Sequence, residues 1–125
     1  MATGLDNLKV YKLSVRLEVF LHKVLKEKFP PEEKYRSVDQ LSRSSSSTFN
    51  NIAESYGKYS YGVKINHLYI ARGEAEETRS GVQRANKKGF ISEKITEFTI
   101  DKYAELIKAI NGYINFLKSR QNKNR

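Results

Sequence analysis

The sequence predicts an all-α fold, an antiparallel up-down-up-down four-helix bundle. Three observations carry this reading. Apolar residues recur at three- and four-residue steps through four separate segments. Sustained period-two alternation, the mark of a half-buried strand, is missing throughout. Proline, glycine and serine fall between the periodic segments, where a bundle needs short connections.

The first helix is read over about residues 7–28, with Val10, Leu13, Leu17, Phe20, Val24 and Leu25 along one face. Phe29-Pro30-Pro31 ends it, because proline disfavours helix in the residue before it and has no N–H to donate. The second helix is read over 31–56. Pro31 suits a first turn, and Glu32 and Glu33 suit the positive end of the helix dipole. Tyr35, Val38, Leu41, Ser45, Thr48, Ile52 and Ser55 continue its period. Ser44-Ser45-Ser46-Ser47-Thr48 would read as a linker in isolation. The period crosses it without a change of phase, so it is read as a small-residue helix face that a neighbour approaches closely.

Gly57-Lys58-Tyr59-Ser60-Tyr61-Gly62 is the clearest loop, and Ser60 is placed as N-cap of a third helix over 61–88. Leu68, Ala71, Ala75, Thr78, Val82 and Ala85 form its heptad-like seam of mostly small residues. Gly73 and Gly81 interrupt this helix at about 1 kcal/mol each relative to alanine, which another backbone packing against them would explain. Asn86-Lys87-Lys88-Gly89 reads as a cationic last turn with a glycine cap. Ser92 caps the fourth helix, over 93–118, with the seam Ile100, Tyr103, Ile107, Ile110, Ile114 and Leu117. One domain is thus expected over 1–117. Residues 118–125 form a basic tail that lacks apolar periodicity and is expected to fray.

Composition narrows the function. The chain has 125 residues, the length of one domain, and 38% of them are hydrophobic, enough for a packed core. No stretch approaches the roughly 20 apolar residues that cross a bilayer, and Met1-Ala2-Thr3-Gly4-Leu5-Asp6 lacks the apolar run of a secretory signal. With no cysteine there is neither a disulfide framework nor a thiolate metal site, and these points favour the cytoplasm. The 23 Lys and Arg against 14 Asp and Glu give a net charge of +9, a field that attracts polyanions.

Catalytic material is thin. His22 and His67 belong to no zinc pair or di-iron motif, so no metal or cofactor is expected. Arg16 and His22 fall within the loose spacing of helical HEPN ribonucleases, but Leu17 follows Arg16 and the pair sits in the first helix instead of late in the chain. The 57–64 loop lacks the Gly-Lys-Ser/Thr ending of a phosphate loop and follows a helix. The chain is therefore read as a binder and not an enzyme.

Phe29-Pro30-Pro31-Glu32-Glu33, Gln40-Leu41, Arg43-Ser44-Ser45 and above all Asn51-Ile52-Ala53-Glu54 resemble the family of 23S rRNA intervening-sequence proteins. So do His67-Leu68-Tyr69-Ile70-Ala71-Arg72-Gly73, Glu76-Glu77 and Gly89-Phe90-Ile91, and the resemblance runs from about Leu8 to Leu117. The same broad fold is used by accessory variability determinants of diversity-generating retroelements. The resemblance implies a barrel-shaped homopentamer whose basic surface contacts RNA or DNA and a reverse transcriptase.

The candidate nucleic-acid contacts are Lys58, Tyr59 and Lys64 in the loop, Arg84, Lys87, Lys88 and Lys94 about the third connection, and Lys118, Arg120, Lys123 and Arg125 in the tail. Antiparallel topology sets the third connection and the tail at opposite ends. Arg72, Gly73, Glu76, Arg79 and Gly81 are the candidate oligomer interface, although Arg72, Glu76 and Arg79 also stand at intrahelical ion-pair spacing. The expected function is that of a non-enzymatic, oligomeric nucleic-acid-binding accessory protein. The alternatives are a module docking an acidic protein and, third, a helical ribonuclease.

Overall fold

A computed structural model describes residues 8–123. Four helices, α1 (Lys9–Lys28), α2 (Ser37–Gly57), α3 (Tyr61–Lys87) and α4 (Glu93–Lys123), run alternately up and down. Each packs on its neighbours in the chain and α4 closes back on α1, while the backbones of the diagonal pairs stay apart. No strand occurs among the described residues. The α2–α3 interface is the most extensive and α1–α4 the least.

The core is two apolar clusters separated by a belt of hydroxyls. One cluster centres on Leu17, Ile52, Leu68, Tyr103, Leu106 and Ile110. The other centres on Leu21, Leu25, Leu41, Val82 and Ile91. Between them lie Ser44, Ser45, Thr48, Thr78 and Thr99, all buried. Ser45 donates to Leu41 O at 2.7 Å, Thr48 to Ser44 O at 2.7 Å and Thr99 to Ile95 O at 2.7 Å. These hydroxyls satisfy themselves on their own helices, so a belt without apolar bulk carries no orphaned polar atom there. Within this belt, Thr78 Oγ1 also donates across to α2, to Ser44 Oγ at 2.7 Å. The serine run is thus helical, and its small side chains let α3 come close.

Helix ends follow local chemistry. Ser60 Oγ accepts from Val63 N at 3.4 Å and Ser92 Oγ from Ile95 N at 3.2 Å, capping α3 and α4. Gly89 adopts φ +83°, and Gly89 N→Asn86 O and Phe90 N→Ala85 O, both 2.9 Å, complete a Schellman turn after α3. The start of α1 has neither a side-chain cap nor an acid in its first turn.

Two helix bounds differ from the sequence reading. The segment Pro31–Glu33 forms a separate 3-10 turn, and α2 starts at Ser37 instead of Pro31. Arg36, at φ −122° and ψ −105°, breaks the helical path, and the Ser37 hydroxyl donates to Glu33 Oε1 at 2.6 Å across the break. Tyr35, read as part of the α2 face, is consequently exposed. At the other terminus α4 does not fray at 118 but continues through Lys123. Residues 118–123 contain no breaker, their cations suit the negative end of the dipole, and Arg120 lies 5.5 Å over the Phe116 ring one turn back.

Candidate nucleic-acid interface

The antiparallel order sorts the cationic residues onto two ends and one flank. The first end holds the α2–α3 loop and the C-terminus of α4, so the loop and tail candidates, apart in sequence, lie together. Lys58 is exposed and pairs with Glu54 at 3.3 Å. Tyr59 is fully exposed. Lys64 Nζ donates to Ser55 O at 3.2 Å and Tyr56 O at 3.0 Å, so this ammonium caps the carbonyl end of α2. Lys118, Arg120 and Lys123 stand in solvent along the last turns of α4. Arg125 lies outside the described residues.

The second end holds the α3–α4 turn. Arg84, Lys87, Lys88 and Lys94 are all exposed there, with Arg84 Nη1 bonded to Ser80 Oγ at 2.7 Å. The Glu33 carboxyl is held below the usual carboxylate range, first by the Ser37 hydroxyl and also by the Lys88 and Arg36 charges.

The flank is a surface that the sequence reading missed. Lys9, Lys12, Arg16, Lys23 and Lys26 recur at three-, four- and seven-residue steps along the solvent face of α1, and all are exposed. None takes part in an ion pair among the described residues. At 1.5 Å per residue the row is about 25 Å long. It is legible in the sequence as the complement of the apolar face, opposite Leu17, Leu21 and Val24. Such an array offers repeated ammonium and guanidinium donors to a chain of phosphates.

Of the five proposed oligomer residues, Gly81 alone is buried; Gly73 and Glu76 are exposed, and Arg72 and Arg79 are half-buried. Gly81 is buried against α2 of its own chain, where a Cβ would lie 2.6 Å from Leu41 Cδ2. Its smallness is explained by packing within the monomer. Arg72 Nη1 donates to Asn111 Oδ1 at 2.8 Å, and Arg79 pairs with Glu76 at 3.1 Å within α3. Gly73 is exposed with no atom within 4 Å of a built Cβ.

The distinctive Asn51-Ile52-Ala53-Glu54 block is a joint between helices. Asn51 Nδ2 donates to Ser47 O at 2.9 Å, and Asn51 Oδ1 lies 3.0 Å from His67 Nδ1 on α3. Ile52 is completely buried, and Glu54 holds Lys58. His22 lines a small pocket of about 60 Å³ between α1 and α2 with Glu18 and Ser46, the latter two bonded at 2.6 Å. Arg16 is not part of that pocket. Six residues apart on a helix, Arg16 and His22 point about 120° from each other, so the ribonuclease pair is not assembled on one face. Among the described residues no group of three metal-ligating side chains occurs, and no helix is long and apolar enough to cross a membrane.

Comparison with known proteins agrees with this architecture. A crystal structure of a protein of unknown function from the S23 ribosomal protein family of Bacteroides thetaiotaomicron superposes with a TM-score of 0.79 at 24% identity, covering 85% of this chain and 95% of that one. At that identity the likeness speaks for the fold. No curated protein matches the sequence. The family model of the 23S rRNA-intervening sequence protein matches residues 6–112, and the chain belongs to that family.

Proposed function

We propose that this protein binds the phosphate backbone of RNA or DNA and performs no chemistry on it. The observation that carries the reading is the row of cations along α1 that enter no ion pair among the described residues, joined to basic groups at both ends of the bundle. Exposed Lys and Arg clusters displace condensed counterions from a polyanion and hold it with little discrimination between base sequences. By resemblance to related bundles, the chain works in the cytoplasm as a homopentamer, beside a reverse transcriptase and its RNA. A ring repeats each patch, and avidity then multiplies weak contacts.

The test is fluorescence anisotropy with labelled RNA and DNA at about 50 and 200 mM salt, with light scattering for the subunit number. Affinity should fall by orders of magnitude between the two salts. The variant K12E/R16E/K23E should bind more weakly and lower the slope of log K against log salt by about three, one per lost phosphate contact. Binding that is indifferent to salt, or an unchanged slope in the variant, refutes the reading.

A further inference from the structure

The α1 row contains cations without rings, whereas the end formed by the α2–α3 loop and the α4 C-terminus interleaves the two. Arg72 lies 4.9 Å and Lys118 5.5 Å from the Tyr69 ring centroid, and 37% of Tyr69 remains open. Phe116 is 53% exposed, stacks on Tyr113 with centroids 6.3 Å apart and planes 19° apart, and has Arg120 at 5.5 Å. Tyr59 stands wholly in solvent beside Lys58. Exposed rings of this size are costly to leave in water, and neither Tyr69 nor Phe116 belongs to the apolar clusters of the core.

From this juxtaposition we infer that this end is a single-strand site, where unpaired bases stack on Tyr69 and Phe116 while Arg72, Lys118 and Arg120 meet the flanking phosphates. The inference rests on the phosphate-binding reading and adds to it a ligand class. Stacking on a side chain requires a base whose face is free, which a duplex interior denies and a single strand offers. Phe116 and Lys118 are two residues apart on α4, so the two clusters flank that helix. A helix is about 10 Å across, a width that a few flexible nucleotides span.

The experiment titrates the full-length protein with a labelled, unstructured single-stranded RNA and with a duplex RNA of equal length. The variants are Y69L/F116L, which keeps every charge and most of the apolar volume, and Y35L, which alters the exposed ring at the opposite end. Circular dichroism melting checks that each is folded. The wild type should prefer the single strand by tenfold or more. The Y69L/F116L variant should lose about tenfold per ring toward the single strand, with duplex affinity and salt slope unchanged, while Y35L behaves as wild type. Salt-sensitive binding with equal affinity for both RNAs, or a preference that survives Y69L/F116L, overturns this inference and leaves the phosphate reading standing. Failure to bind either RNA at low salt overturns both.

Discussion

Gly81 to alanine is a perturbation whose sign the structure decides. In an open helix interior the exchange stabilises by about 1 kcal/mol, since alanine loses less backbone entropy on folding. At Gly81 the new methyl would sit 2.6 Å from Leu41 Cδ2 and 3.4 Å from Leu41 Cγ. Leu41 is buried and belongs to the cluster of Leu21, Val82 and Ala85, so its methyl must shift within a packed core. Overpacking of this kind costs about 1–3 kcal/mol. The net effect should be a loss of about 1 kcal/mol, or roughly 3 °C in melting temperature for a domain of this size. Gly73→Ala is the control, because nothing lies within 4 Å of its Cβ. It should gain about 1 kcal/mol in the isolated bundle. Melting is followed by far-UV circular dichroism at one fixed concentration, since association would itself shift the midpoint. The reasoning fails if Gly81→Ala is as stable as Gly73→Ala. It also fails if Leu41→Ala costs as much in the Gly81→Ala background as in the wild type, for contacting residues must couple.

Asn51→Ala removes the acceptor that His67 Nδ1 meets and should cost about 1 kcal/mol, measured by urea unfolding, with Asn51→Asp losing less. Removing both partners of the buried bond, Ser44→Ala with Thr78→Val, should cost less than the sum of the single changes in a double-mutant cycle. Two carboxylates should act oppositely on stability against pH. Glu33 has a folded pKa below its unfolded value, so its contribution is present above the unfolded carboxylate range and is lost as pH falls through the folded pKa; Glu33→Gln should flatten that acid limb. Glu74 is raised, first by burial and then by Glu77, so it holds its proton more tightly when folded and weighs against the fold at neutral pH. Glu74→Gln should therefore raise the melting temperature near pH 7 and have no such effect below the unfolded carboxylate range.

The parts of this fold that were legible in the sequence are those where one signal has one meaning. The α3 seam of Leu68, Ala71, Ala75, Thr78, Val82 and Ala85 is buried throughout, because a three- and four-residue period through small residues fits little else. Ser60, Ser92 and Gly89 cap as their chemistry requires. The start of α2 was not legible, since Pro31-Glu32-Glu33 satisfies the opening of a 3-10 turn as well as that of a helix. The extent of α4 was misjudged because apolar periodicity reports burial, and a helix held by its own side chains past Leu117 has nothing to bury. Gly81 announces a close approach without saying to what, and only the packing names Leu41. At the candidate site, the loop and the tail were each visible as basic segments, but their shared end is a property of topology. The openness of Tyr69 and Phe116 depends on where their neighbours stop, which spacing alone does not encode.

The uncapped start of α1 has a consequence for motion. This helix is the least packed of the four and begins with Lys9 and Lys12 set against the positive end of its own dipole. Its amides should therefore be the first to exchange their hydrogens with solvent, while those of α2 and α3, locked face to face, exchange last. A polyanion lying along α1 would neutralise those same lysines and remove the repulsion that loosens the turn. Ligand affinity and helix order are then one free energy measured in two ways, and slowed deuterium uptake in α1 would map the bound strand directly.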